Sequence, residues 1–224
     1  YNREYREGRI TEHLVIDFNE KVPASDDEAS ASTALNIGYF FLQETMKGLQ
    51  LGDFFKETTS DKKISFDCYT ALRFLVYARI LDPRSKYGTW DRLGTYYEQP
   101  DLAYQHLIRF MDVLEEKHTE YLKWLYQKSC SIVKRDSSVL YYDCTNYYCE
   151  CEKEDGDFID EVTGEIMPGL RRYGYSKEHR PNPIVEMGLF MDRNGIPITM
   201  CLHPGNTNEQ VTAIPLEKEV VRML

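Results

Sequence analysis

Long apolar runs are missing from this 224-residue chain, and so is any segment shaped like a secretory leader. A membrane helix needs roughly 20 consecutive apolar residues, so the expectation is a cytoplasmic protein with reduced thiols and no membrane partner. Cysteine occurs six times, at 68, 130, 144, 149, 151 and 201, but never as C-x-x-C. Cys149-Glu150-Cys151 is too tight for the usual zinc knuckle. Cys144 and Cys201 lie in apolar runs and are expected to act as small buried hydrophobes. Positive charge is also scarce: 27 Lys and Arg stand against 37 Asp and Glu, for a net charge of −10. This counts against bulk attraction to nucleic acid but does not exclude a local basic strip. Internal repeats and low-complexity segments are absent as well.

The material that is present is globular. Hydrophobic residues make up 42% and aromatics 13%, with 17 Tyr, enough for one large domain or two modest ones. Charge is unevenly laid out. Residues 150–165 hold eight acidic residues against Lys153 alone, whereas 169–182 hold Arg171, Arg172, Lys177 and Arg180 against Glu178.

Periodicity divides the chain near residue 135. Residues 1–22 read as a short β unit, with a turn at Arg6-Glu7-Gly8 and strand-like residues from His13 to Phe18. A polar connector follows, in which Asp26 or Asp27 can cap a helix. Residues 23–135 read as helical. Leu35, Tyr39, Leu42, Met46 and Leu49 recur at helical spacing over 34–51, and a second helix is expected over 65–81. Asp82-Pro83 stops it, because proline has no amide proton and restrains the residue before it. A shorter helix is expected over 86–97, and one or two more over 101–134.

From Val139 the period becomes that of a strand, over 139–150, 184–191 and 196–203. Asp192-Arg-Asn-Gly195 is a hairpin turn, since Asn-Gly tolerates positive φ. Thr207-x-x-Gln210 has the form of a capping box opening a last helix from Val211, in which Pro215 marks either a kink or the real start. The expected fold class is α+β: a mostly helical N-terminal part, then a sheet-bearing part over 136–224 with an insertion at about 150–183.

Asp143 is the first candidate site residue. A carboxylate among Tyr141, Tyr142 and Cys144 either faces outward, bonds to Thr145 or Asn146, or takes a metal ion, because an unpartnered buried charge is very costly. Mg²⁺ with few carboxylates, waters and phosphate oxygens suits phosphodiester chemistry. The basic turn at Arg171, Arg172, Lys177, His179 and Arg180 is either a solvated loop or a phosphate contact, with Tyr173 and Tyr175 able to stack on bases. Arg84 and Lys86 follow the helix stop and have the same two readings. Asp155-Gly-Asp157-Phe-Ile-Asp160-Glu161 departs from the EF-hand spacing and reads as a solvated acidic loop.

Several stretches together resemble bacterial insertion-sequence transposases of the DDE superfamily. They are Ala78-Arg-Ile-Leu-Asp-Pro-Arg-Ser-Lys86, Leu140-Tyr-Tyr-Asp-Cys-Thr145, Gly169-Leu-Arg-Arg-Tyr-Gly-Tyr-Ser-Lys-Glu-His-Arg-Pro181, Gly188 to Asp192, Asn194-Gly-Ile-Pro-Ile198 and His203-Pro-Gly-Asn-Thr-Asn-Glu209. The resemblance implies the start of an RNase H-like catalytic domain, its first three strands and first helix. Asp143 then matches the first acidic residue of the triad and is a ligand of a two-metal Mg²⁺ (or Mn²⁺) site. It also implies double-stranded DNA as partner, meaning terminal inverted repeats and target, with self-association in the complete enzyme.

In the family the second Asp and the Glu lie beyond the helix in which this sequence stops, and the sequence opens at Tyr1 rather than Met. The expectation is therefore a piece of a longer transposase. On that reading these residues alone neither assemble the metal pair nor cut DNA, and Asp192, in a hairpin turn, is no substitute. Two alternatives stand beside it: a non-catalytic DNA-binding or regulatory remnant, and another RNase H-like nuclease.

Overall fold

A computed structural model of the protein describes residues 35–223, apart from 161, 162, 178 and 180. The expected β unit, its connector and Arg180 lie outside the described residues. Residues 36–224 cluster as one compact unit. Among the described residues, six α-helices precede the strands: α1 (Phe40–Gly48), α2 (Leu51–Thr58), α3 (Cys68–Leu81), α4 (Lys86–Asp91), α5 (Tyr104–Glu116) and α6 (His118–Ile132). Strands β1 (Tyr141–Tyr148), β2 (Phe158–Ile159), β3 (Ile166–Met167), β4 (Ile184–Met191) and β5 (Pro197–Pro204) follow, and then α7 (Glu209–Met223). The chain is α+β, with helices first and antiparallel strands after them.

The helical half is built on aromatics. Tyr39, Phe54, Phe74, Tyr77 and Phe110 are fully buried, with Leu51 and Leu107 beside them. Where one helix was expected over 34–51, the chain breaks. Gln50 adopts a left-handed conformation (φ 52°) between α1 and α2, and the Trp124 indole N–H donates to the Leu49 carbonyl at 2.9 Å. A tertiary hydrogen bond from α6 thus takes a carbonyl that helix continuation would have used. Helix α3 begins later than expected because the Asp67 side chain accepts from the Tyr69 and Thr70 N–H groups, an N-cap. It ends at Leu81, one residue before Asp82-Pro83, as the proline stop requires. Ser85 caps α4 in the same manner.

Strands β1, β4 and β5 form one antiparallel sheet in that order. Asp143 pairs with Leu189, Asn146 with Glu186, and Glu186 with His203. The β4–β5 turn places Gly195 at φ 76°, the conformation for which Asn-Gly was read. Phe190, Ile198, Leu216 and Val220 make the core beneath α7, with Tyr126 of α6 and Tyr142 packed against it. The last helix starts at Glu209, and Asn208, rather than Thr207, accepts from the Gln210 N–H at 2.9 Å. Pro215 therefore does not mark its start. Within the insertion, β2 and β3 pair as a two-stranded ribbon that the sequence reading did not contain.

Candidate functional site

Strand alternation decides what Asp143 faces. Side chains of β4 alternate between buried (Ile184, Glu186, Phe190) and half-buried (Val185, Met187, Leu189, Met191), as period-2 geometry demands. Through the register, Tyr142, Cys144 and Asn146 share the face of Glu186 and Phe190, where α7 packs. Asp143 shares the other face with Tyr141, Thr145 and Tyr147, and it is exposed there. Tyr141 and Tyr147 are each 51% exposed, and the Tyr147 hydroxyl donates to Met187 Sδ at 3.8 Å. The carboxylate thus stands mid-strand on the open face of the sheet, away from the helix that follows.

Lys177 is a cation whose charge Asp143 favours. Its ammonium donates to the Cys144 carbonyl at the outer edge of β1 and lies 3.3 Å from Glu209 Oε1. Partial burial works against its charge, but Glu209, and at longer range Asp143, hold its pKa above the ordinary lysine value. Asn146 anchors the same segment, accepting from the Lys177 N–H at 3.2 Å and donating to the Tyr175 carbonyl at 3.5 Å.

The remaining cations are dispersed. Arg171 is engaged by Asp155, whose oxygens accept from Arg171 Nε at 2.7 Å and from its N–H at 3.0 Å. Arg172 pairs with Asp157 and, at 3.8 Å, with Glu154. Two of the four carboxylates of the calcium-like acidic stretch, Asp155 and Asp157, are therefore engaged by arginines, and Asp160 accepts from the Thr163 N–H at 2.7 Å in the ribbon turn. His179, at φ 55°, is exposed and sets its ring edge-on to Tyr175, 6.0 Å between centroids. Arg84 lies in the α3–α4 turn and Lys86 opens α4, both in the helical half, where Arg84 Nε donates to Asp82 at 2.6 Å. Asp192 is a structural residue: fully buried, it accepts from Arg135 Nε at 2.6 Å and from the Asn194 and Ile196 N–H groups.

Two carboxylates escaped the sequence reading. Glu186 is 3% exposed, on the helix-bearing face of β4, and contributes with Glu209, Gly174, Gly205 and Asn206 to a cleft of ≈ 480 Å³. Burial raises its pKa, the nearby Glu209 raises it further, and Lys177 only partly opposes them. The signal was available: in Ile184-Val-Glu-Met-Gly-Leu-Phe-Met191 a glutamate occupies an inward position of the alternation. Glu209 gave no comparable signal, because Lys177 reaches it across 32 residues of chain (209 − 177).

The resemblance implies two divalent ions. Among the described residues no group of three or more His, Cys, Asp or Glu side chains is placed to hold a metal ion. Asp143 is one carboxylate, short of the several that a two-metal centre needs, so these residues do not by themselves fit that group. Among the described residues, no helix is long and apolar enough to cross a membrane. No family model matches the chain, and no match exists among curated proteins or solved structures.

Proposed function

We propose that the protein acts on double-stranded DNA as a member of the transposase class, with Asp143 as the first carboxylate of its catalytic face. The observation that carries this reading is the position of Asp143. It stands exposed in the middle of the first strand of an antiparallel three-stranded meander, on the face that the following helix leaves open. An accessible carboxylate on a rigid strand suits phosphodiester chemistry, which depends mainly on positioning and on charge stabilisation. Lys177, held charged at the edge of the same strand, is a point cation suited to a DNA phosphate.

A second reading has its own support. The absence of a three-ligand cluster among the described residues favours DNA placement without cleavage, a binding or regulatory role. Both readings require DNA. A mobility-shift titration on duplex DNA from the flanks of the gene, repeated across salt concentrations, tests them together. The expected shift weakens as salt rises and persists in Asp143→Ala. Absence of a shift at low salt would refute both. Adding Mg²⁺ or Mn²⁺ then separates them. Cleavage abolished by Asp143→Ala would establish catalysis by this chain and end the binding-only reading.

A further inference from the structure

We propose that the acidic segment 152–157 is a built-in competitor for phosphate at Arg171 and Arg172, so that polyanion binding requires its displacement. The proposal rests on the DNA reading above for its natural ligand, but its geometry stands apart from it. Arg171 and Arg172, consecutive in a 14-residue basic stretch (169–182), are natural phosphate contacts, because Arg offers paired N–H donors to paired oxygens. In the protein those donors are already used. Asp155 accepts from both the side chain and the backbone N–H of Arg171, which is the arrangement a phosphate would take. Asp157 and Glu154 flank the Arg172 guanidinium. The Tyr173 N–H donates to Glu154 Oε1 at 2.7 Å, and the Tyr173 hydroxyl donates to the Glu152 carbonyl at 2.6 Å. Arg171, Arg172 and Tyr173, the residues expected to grip and stack on nucleic acid, are all engaged by one acidic segment.

The engagement is uneven, and that makes it releasable. At Arg171 it is reinforced by the main chain, since the Asp155 N–H donates to the Arg171 carbonyl at 3.0 Å. At Arg172 it rests on carboxylates whose side chains remain 38% (Glu154) and 54% (Asp157) exposed. Exposed ion pairs contribute little each, whereas a DNA backbone brings several phosphates and gains by counterion release. Arg172 is therefore freed first, with Asp155–Arg171 as the hinge. The arrangement also accounts for the abrupt sign change of charge between 150–165 and 169–182. The acidic run lies there because it is the partner of the basic one.

The test uses the full chain and two probes, random-sequence duplex DNA in mobility shifts and heparin in column retention. Glu154→Gln/Asp157→Asn is compared with wild type and with a charge-matched control, Glu57→Gln/Glu115→Gln, whose exposed carboxylates lie in α2 and α5. Asp157→Asn keeps an oxygen for the Gly169 N–H, and the single Asp157→Asn variant serves if the double one misfolds. The expected gain in DNA affinity is about 3- to 10-fold over the control at fixed salt, from two exposed pairs. The salt dependence should steepen by about one phosphate contact, and adding Arg172→Ala should cancel the gain. A wild type that binds DNA and a variant that binds no tighter than the control overturns the competitor while leaving the DNA reading intact. A gain on heparin with no DNA binding by any variant upholds the competitor and overturns the DNA reading. No gain on either probe overturns the competitor.

Discussion

Asp192 is the acidic residue most easily mistaken for a member of a catalytic set, because it follows a β-strand and precedes a Gly-containing turn. Its surroundings predict a stability phenotype instead. The carboxylate is fully buried and takes three hydrogen bonds: Arg135 Nε at 2.6 Å, the Asn194 N–H at 2.9 Å and the Ile196 N–H at 3.0 Å. Arg135, also buried, spends its other nitrogens on Ser129 Oγ at 2.6 Å and the Pro197 carbonyl at 2.9 Å, and it lies 5.0 Å from the Tyr126 ring centroid. One ion pair thus ties α6, the approach to β1 and the β4–β5 hairpin together. Removing one partner of a buried pair costs about 3–5 kcal/mol, because the other charge stays buried and uncompensated. For a chain of this size that lowers Tm by on the order of 10 °C.

Asp192→Ala should show this loss in full by circular dichroism melts. Asp192→Asn keeps an oxygen for the two backbone donors and should lose ~1.5–3 kcal/mol, the range for a hydrogen bond to a charged group. Arg135→Met combined with Asp192→Asn should cost less than the sum of the single changes, a coupling of about 1 kcal/mol or more. The pH dependence has a definite sign. Burial pushes the Asp192 carboxyl up, but the Ile196 N–H, Arg135 and the Asn194 N–H outweigh it and hold the pKa below the usual carboxylate value. Its stabilisation is therefore complete above the unfolded-state value and lost as pH falls through the lower, folded one. The Asp192→Asn deficit should shrink in that acidic window. An Asp192→Ala protein melting within ~2 °C of wild type at neutral pH would refute the reasoning. So would an Asp192→Asn protein of unchanged Tm that loses metal-dependent cleavage.

Three further outcomes follow from other parts of the molecule. Glu186→Gln should raise Tm at pH 8 and leave it unchanged near pH 4. The Glu186 pKa is raised by burial and by Glu209, so the folded state prefers the neutral acid and loses stability as pH climbs past the ordinary carboxylate range; an equal effect at both pH values would exclude this. Gly174→Ala should destabilise by about 1–3 kcal/mol in urea unfolding, because its Cβ would overlap the Gly205 carbonyl oxygen, a main-chain atom that cannot rotate away. Asp143→Asn should leave the unfolding free energy from urea titration within about 0.5 kcal/mol of wild type, as befits an exposed site for whose side chain no hydrogen bond or ion pair to another described residue is seen, and a larger loss would assign it a structural role.

Much of the secondary structure was legible because single residues announce it. Pro83 ends α3, Asn194-Gly195 turns β4 into β5, and the alternation from Ile184 to Met191 marks a half-buried strand. The misses share one physical origin. Helix breaking at Leu49–Gln50 depends on Trp124, 75 residues away, and no local pattern encodes that hydrogen bond. The β2–β3 ribbon has only two residues per strand, too few for a period to register. At the site, Asp143 was legible as a carboxylate breaking an apolar run, but its exposure came from the register with β4. The basic stretch was legible as charge, yet its pairing with residues 152–157 was not, because sequence gives the sign of two neighbouring runs and not whether they face each other.

That last point bears on what the edge of β1 can offer a ligand. An edge strand presents unpaired backbone groups that invite another chain to pair, and β1 lies at one edge of its sheet. Lys177 sets its ammonium on the Cys144 carbonyl, and Asn146 binds the backbone of both Tyr175 and Lys177. The segment after Arg172 therefore covers the edge with side-chain contacts rather than a ladder, leaving a charged lysine where a pairing strand would sit. Because Gly174 is locked against Gly205 and Lys177 against Glu209, this cover is pinned to the start of α7. Anything that pulls Arg171 and Arg172 away from residues 152–157 must act on a segment already fixed at its far end. On the proposed reading, a displacing polyanion is thus directed onto the acidic segment, while Lys177 keeps its place.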